Sequence, residues 1–141
     1  MKDKLINKND IKSSADMFFY KAIVDLNSAI YLLKAFTENK IEIDIEKIYF
    51  DLQQSAEKLL KSILCRKKIL FPRSHDLEQL IDICELNGIV LFAEIEILID
   101  LNDYAVEGRY SIIHDDINDS DKYIAVIKKL IKIIENKNKG K

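Results

Sequence analysis

The sequence predicts an all-α protein, an antiparallel up-down bundle of about five helices. Only three glycines and one proline occur in 141 residues, so few positions force the backbone out of a helix. Hydrophobic residues make up 48% of the chain, too many for a disordered protein. Apolar residues recur at spacings of three and four, and this helical period outweighs the strand propensity of the many isoleucines. All three observations favour packed helices.

We expect one domain, because domains commonly contain about 100–150 residues. Its predicted limits are residues 13–135. The polar segment 1–12 is predicted to be disordered, and the lysine-rich segment 136–141 to be a frayed basic tail. The sequence contains no internal repeat and no low-complexity linker.

The first two helices are predicted from about Ser13 to Thr37 and from Asp44 to about Lys68. Serine is a good N-cap residue, and Asp16 places an acid in the first turn, where the helix dipole favours it. Proline disfavours helix in the residue before it, so Pro72 lies beyond the second helix. The apolar stripe of that helix contains Leu52, Ala56, Leu59, Leu60 and Ile63.

A third helix is predicted to start at Ser74-His75-Asp76, where Asp76 and Gln79 have capping-box spacing, and to stop at Asn87-Gly88. Two more are predicted from about Leu91 to Gly108 and from about Asp119 to Glu135, with a loop at 110–118. The inner stripe of the fourth helix reads Ile95, Leu98, Asn102, Ala105, Arg109. This stripe brings a polar and a charged residue to an inner or interface side, where burial without a partner is costly. We therefore expect a homodimer with the fourth helix near the interface.

Charge and cysteine usage limit the class of protein. The net charge is −2, but charges from Lys58 to Arg73 are all positive, and those from Glu94 to Asp121 are negative except for Arg109. Residues 1–10 contain no apolar run of signal-peptide length, so no signal peptide is expected, and no apolar stretch reaches the ~20 residues that span a bilayer. Two cysteines without metal-type spacing fit a reducing compartment. These features predict a soluble cytoplasmic protein without a membrane partner.

Polar side chains form a second stripe on the predicted second helix. Gln53, Glu57 and Lys61 follow one another at intervals of four, with Gln54 and Lys58 beside them. One interpretation is a solvated flank of a core helix. The other is a binding surface, since glutamines donate and accept hydrogen bonds without charge, as a nucleobase edge or a partner helix requires.

Arg109 and His114 are the candidate catalytic residues. A guanidinium holds a phosphodiester and stabilises its transition-state charge, while an imidazole moves a proton. The alternative is that Arg109 satisfies carbonyls at a helix end and that His114 pairs with Asp115 or Asp116 in a loop. His114 and these two acids are a poor metal site, because adjacent residues rarely give good coordination geometry. We predict no metal and no cofactor.

Three segments in this order resemble the HEPN family, the higher eukaryotes and prokaryotes nucleotide-binding domain. They are Gln53-Gln54-Ser-Ala-Glu57-Lys58-Leu-Leu-Lys61, then Ser74-His75-Asp76-Leu77 with Leu80, then Asp103-Tyr104-Ala-Val-Glu-Gly-Arg109-Tyr110. The resemblance covers roughly Asp16 to Ile134. It implies an antiparallel bundle, usually homodimeric, often found beside a minimal nucleotidyltransferase in toxin–antitoxin or defence modules.

The resemblance also bears on the site. Many HEPN proteins are metal-independent ribonucleases with an Arg-x(4–6)-His motif, which Arg109 and His114 fit. Catalytic members usually carry Asn, Asp or His after the arginine, whereas Tyr110 is typical of the nucleotide-binding branch. Three hypotheses follow: a nucleotide- or RNA-binding module, a ribonuclease toxin, and a helical interaction protein without nucleotide. The expected nucleotide or phosphate contacts are Gln53, Gln54, Glu57, Lys58, Lys61, Arg109 and Tyr110.

Overall fold

The protein is described here by a computed structural model that covers residues 8–105 and 117–139. Four α-helices occupy most of these ranges: α1 (Ser14–Thr37), α2 (Ile45–Arg66), α3 (Leu77–Leu86) and α4 (Ser120–Lys139). A 3₁₀ segment spans Ala93–Tyr104, and short 3₁₀ turns span Lys8–Asp10 and Ile117–Asp119. These ranges contain no strand, so the predicted all-α bundle of about five helices is confirmed.

Helix α2 is the centre of the bundle. Most of its 22 residues are buried, and α1, α3, α4 and the 3₁₀ segment all pack against it. Helix α1 runs antiparallel along it, as is shown by the ion pair of 2.6 Å between Arg66 near the end of α2 and Asp16 at the start of α1. Further along the pair, the Ser55 hydroxyl donates to the carbonyl oxygen of Ala22 at 2.8 Å. Most of the circumference of α2 is therefore covered along its middle turns, and Gln54 and Lys58 there stay partly exposed.

Side-chain caps begin two of the helices at the predicted places. Ser13 Oγ accepts a hydrogen bond from the Asp16 amide at the start of α1. Asp76 accepts from the amides of Glu78 and Gln79 at the start of α3. Asp44 occupies the N-cap position of α2, but its side chain makes no capping hydrogen bond there.

Helices α1, α2 and α3 end in the same way. Asn39, Lys68 and Gly88 adopt left-handed backbone conformations, with φ of 59°, 59° and 77°. In each case the next amide donates to the carbonyl five residues earlier, which is the Schellman arrangement. Helix α2 therefore ends at Arg66, close to the end predicted at about Lys68 and before Pro72.

The fourth segment differs from the predicted α-helix over 91–108. Ala93–Tyr104 is a 3₁₀ helix, with three residues per turn rather than 3.6. Its buried residues are Ile95, Leu98 and Leu101, spaced by three, and half-buried Tyr104 continues the row. Side chains three apart align in a 3₁₀ helix, so the row Ile95, Leu98, Leu101 faces the core when the segment adopts this form. Leu101 therefore occupies the inner position that the predicted α-helical stripe assigned to Asn102.

Asn102 satisfies its hydrogen-bonding groups within the chain. Its Oδ1 accepts from the Leu77 amide at 2.8 Å, and its Nδ2 donates to Asp76 Oδ1 at 2.9 Å. The side chain thus joins the 3₁₀ segment to the start of α3. Asn102 consequently needs no second subunit as a partner, and the homodimer stays a prediction.

Helix α4 closes the bundle against the 3₁₀ segment. Tyr123 donates to Asp100 at 3.4 Å, and Lys129 reaches Glu94 at 3.3 Å, which makes the two elements antiparallel. The helix continues to Lys139, beyond the end predicted at Glu135 and into the segment 136–141 predicted to be frayed. At the other end of the chain, the Lys8–Asp10 turn lies within the segment 1–12 that was predicted to be disordered.

Candidate functional site

The polar stripe of α2 is buried. Gln53 is fully buried, Glu57 is 4% exposed and Lys61 is 9% exposed. Their spacing of four places them on one face, and the connection between α2 and α3 passes over that face, as the bonds to His75 below show. Burial excludes the interpretation of this stripe as a solvated flank.

Glu57 is the centre of the buried network. Its Oε1 accepts from Gln53 Nε2 at 3.1 Å and lies 3.0 Å from His75 Nδ1, while its Oε2 accepts from Lys61 Nζ at 2.8 Å. Burial by itself raises the pKa of this carboxyl. The hydrogen bonds from Lys61, His75 and Gln53 and the charge of Lys61 outweigh that effect, so the pKa of Glu57 lies below its ordinary value. The group is therefore an ionised carboxylate at neutral pH.

Lys61 balances this charge. Besides its ion pair with Glu57, its ammonium lies 6.0 Å from the ring centroid of Phe71, a residue of the α2–α3 connection. Phe71 in turn makes an edge-on contact with Phe18 of α1, with ring centroids 6.5 Å apart. The buried charge pair is thus enclosed between α1, α2 and the connection.

His75 is the functional candidate that the sequence did not place in the site. Its carbonyl oxygen accepts from Gln53 Nε2 at 3.1 Å, and its ring contacts Glu57, so both its backbone and its side chain are anchored to α2. Nevertheless its side chain is 65% exposed. The available sequence signal was the position of this histidine directly before the helix-capping Asp76, which indicates a structured connection but not its partner on α2.

Gln54 and Lys58 lie at the edge of the network. The side-chain nitrogen Nε2 of Gln54 donates to Gln53 Oε1 at 2.7 Å. Lys58 forms an ion pair of 2.5 Å with Asp25 of α1. Both residues are partly exposed. The structure thus brings Gln53, Gln54, Glu57 and Lys61 into one bonded group, and it directs Lys58 towards α1.

Arg109, Tyr110 and His114 lie outside the described residues. The candidate catalytic roles of Arg109 and His114, and the nucleotide contacts expected of Arg109 and Tyr110, therefore stay predictions. Tyr104, just before this region, stacks on Tyr49 of α2 with ring centroids 5.0 Å apart. That contact makes Tyr104 a packing residue in the core.

Two other features bear on possible ligand sites. No group of three or more His, Cys, Asp or Glu side chains within 8–105 and 117–139 is arranged to hold a metal ion. An apolar cavity of about 40 Å³ lies between α1, α2 and α4, lined in part by Phe19, Ile63 and Ile134. It has room for a few water molecules but not for a nucleotide, and none of the predicted site residues lines it.

The comparison with protein families decides the identity of the domain. The model of the HEPN domain matches residues 15–137, which runs from the first turn of α1 almost to the end of α4. The chain belongs to the HEPN family. Searches of the curated proteins and of the solved structures gave no match. The buried network of this HEPN domain and the Arg109–His114 pair both lie within the matched residues.

In the part of the chain that the structure describes, no helix combines the length and the apolar composition needed to cross a membrane.

Proposed function

We propose that this HEPN chain is a nucleotide- or RNA-binding module that forms a homodimer and works with a minimal nucleotidyltransferase in a toxin–antitoxin or defence system. The observation that carries the proposal is the HEPN match over 15–137, since this family is associated with nucleotides and RNA. The Arg109-Tyr110 pair supports binding over cleavage, because it is typical of the nucleotide-binding branch. We place the protein in the cytoplasm, where its two cysteines are free thiols.

The buried network divides the predicted binding residues into two groups. Gln53, Glu57 and Lys61 bond to one another, so their role in the proposal is to hold neighbouring groups in place. Direct contacts are assigned to Arg109 and Tyr110, and to Gln54 and Lys58, whose side chains are partly exposed. Contact with a nucleotide requires Gln54 to share or exchange its bond to Gln53, and Lys58 its ion pair with Asp25. In this proposal a guanidinium and an ammonium bind phosphate, and an amide reads a neutral polar group.

The test is fluorescence anisotropy with labelled single-stranded RNA and with ATP, repeated over a series of salt concentrations. Arg109→Ala should weaken binding and lower the salt-dependence slope by about one, as expected for the loss of one phosphate contact. Lys132→Ala, which removes an exposed cation from α4, is the matched control and should leave both quantities unchanged. Absence of binding to either ligand at micromolar protein would contradict the proposal.

Homodimer formation is measured separately, by light scattering at micromolar concentration. A dimer is expected for the wild type and for Arg109→Ala. A monomer over the whole concentration range would remove the dimer from the proposal without affecting nucleotide binding. Co-purification with a nucleotidyltransferase encoded alongside the chain tests the partner.

The second candidate is a metal-independent ribonuclease. The observation that favours it is the Arg109-x₄-His114 spacing, in which the arginine positions the scissile phosphate and the histidine is the general acid or base. His114→Ala should abolish RNA cleavage in the presence of EDTA and leave the oligomeric state intact. Cleavage that continues unchanged would refute this role. If neither binding nor cleavage is found, the helical interaction protein without nucleotide is the remaining hypothesis.

A further inference from the structure

The ring of His75 is held at one nitrogen and open at the other. Its Nδ1 lies 3.0 Å from Glu57 Oε1. The Glu57 carboxylate also accepts from Lys61 and Gln53. An ionised carboxylate only accepts hydrogen bonds, so Nδ1 of His75 is the nitrogen that carries the proton. In the neutral imidazole this tautomer leaves a lone pair on Nε2.

The open nitrogen is both accessible and fixed in position. The His75 side chain is 65% exposed, and within 8–105 and 117–139 its ring has no hydrogen-bond partner other than Glu57. The second anchor, from Gln53 to the carbonyl oxygen of His75, holds the backbone of the same residue. A side chain restrained in this way loses little further conformational freedom when it binds a ligand, which favours binding.

The chemistry of Nε2 selects the ligand group. The lone pair on Nε2 of the neutral imidazole accepts a hydrogen bond and therefore needs a donor on the ligand. The phosphate groups of a nucleotide, when ionised, offer only acceptors. Base N–H groups differ from one nucleotide to the next, whereas the 2′-hydroxyl is present in every ribonucleotide and is the group that distinguishes RNA from DNA. A ribose hydroxyl is therefore the donor that Nε2 can meet whatever the base.

We propose that Nε2 of His75 accepts a hydrogen bond from the 2′-hydroxyl of the bound ribonucleotide or RNA. This inference rests on the proposed nucleotide- or RNA-binding function and adds a residue that selects ribose over deoxyribose. His75 is in this view a specificity residue, and Glu57 is the positioning residue that fixes its tautomer.

The test compares binding of RNA and DNA of the same base sequence by wild type and His75→Asn. The asparagine amide nitrogen stands near the place of Nδ1, so it retains a donor to Glu57 but provides no group at the place of Nε2. Wild type should bind RNA up to about tenfold more tightly than DNA, the worth of one hydrogen bond. His75→Asn should bind DNA as wild type does and should lose most of the preference for RNA. The replacement of His75 and the removal of the 2′-hydroxyl from the ligand should then have non-additive effects on the binding free energy, as expected for two groups in contact.

Each other outcome is decisive. An unchanged RNA preference in His75→Asn overturns the inference while the proposed function stands. An equal loss for RNA and DNA overturns the ribose assignment in favour of a base or phosphate contact. If wild type binds ATP but neither nucleic acid, the same comparison is made between ATP and dATP. If it binds none of these ligands, the proposed function fails and the inference fails with it.

A spectroscopic measurement on the wild type keeps the inference testable if His75→Asn does not fold. Nitrogen-15 NMR of the imidazole distinguishes the tautomer with the proton on Nδ1 from the tautomer with the proton on Nε2. We expect the proton on Nδ1 in the free protein and a shift of the Nε2 resonance when RNA is added. Either the opposite tautomer, or an Nε2 signal that does not respond to bound RNA, overturns the inference.

Discussion

Replacement of Glu57 by leucine tests the buried ion pair that holds the site together. The substitution leaves the ammonium of Lys61, a residue that is 9% exposed, without the carboxylate 2.8 Å away. Removing one partner of a buried pair costs about 3–5 kcal/mol, because the other charge is left uncompensated. This cost is a large fraction of the 5–15 kcal/mol typical of a whole domain. We therefore expect a pronounced decrease in the free energy of unfolding.

Replacement of the other partner, Lys61, and the double variant complete a double-mutant cycle. Lys61→Met should cost less, about 1–3 kcal/mol, because Glu57 retains hydrogen bonds from Gln53 and His75. The double variant buries neither charge, so it should be more stable than the sum of the two single effects predicts, by about 2 kcal/mol.

Urea unfolding followed by circular dichroism measures all three variants, since the chain has no tryptophan to report by fluorescence. Lys132→Met on the exposed face of α4 is the control and should change the free energy of unfolding by no more than about 0.5 kcal/mol. A cost below about 1 kcal/mol for Glu57→Leu, or simple additivity of the two single variants, would refute the reasoning.

Three further predictions use the same assay. First, the pKa of Glu57 is lowered in the folded state, so its stabilisation is complete above the ordinary value of 4.5 and is lost as the pH falls through the folded pKa; Glu57→Gln should flatten this acid decline. Second, Asp76→Ala should cost about 1–2 kcal/mol, because it removes the cap of α3 and the bond from Asn102. Third, Leu98→Ala should cost about 2–5 kcal/mol because Leu98 is fully buried, whereas Leu70→Ala, at a residue 95% exposed, should change stability by less than about 0.5 kcal/mol.

Distinct results would contradict each of the three. The pH dependence is contradicted if Glu57→Gln loses stability in acid as steeply as wild type does. The capping role is contradicted if Asp76→Ala unfolds at the wild-type urea concentration. The packing of the 3₁₀ segment is contradicted if Leu98→Ala and Leu70→Ala have equal effects.

The fold followed from signals that are local in the sequence. The three-four spacing of apolar residues and the capping side chains Ser13 and Asp76 located α1 and α3 to within a few residues. The fourth segment was misassigned because its row, with both Leu101 and Asn102 available, satisfies a spacing of three as well as a spacing of three and four. α- and 3₁₀-helices differ there by one residue in hydrogen-bond register, and packing against α2 and α4 decides between them.

The candidate site could be predicted only in part from the sequence. The interval of four revealed the polar stripe of α2, but a solvated stripe and a buried, fully bonded stripe have the same spacing. What distinguishes them is the path of the α2–α3 connection, which brings His75 to Glu57 across 18 residues of sequence. A contact of that kind depends on tertiary structure, and no local pattern encodes it.

The straight row of the 3₁₀ segment also bears on which changes of length the chain tolerates. With three residues to a turn, removal of one residue rotates everything beyond it by a third of a turn and presents polar side chains to the core. Removal of three residues would restore the same face and shorten the segment by about 6 Å, one complete turn. Natural insertions and deletions here should therefore come in multiples of three.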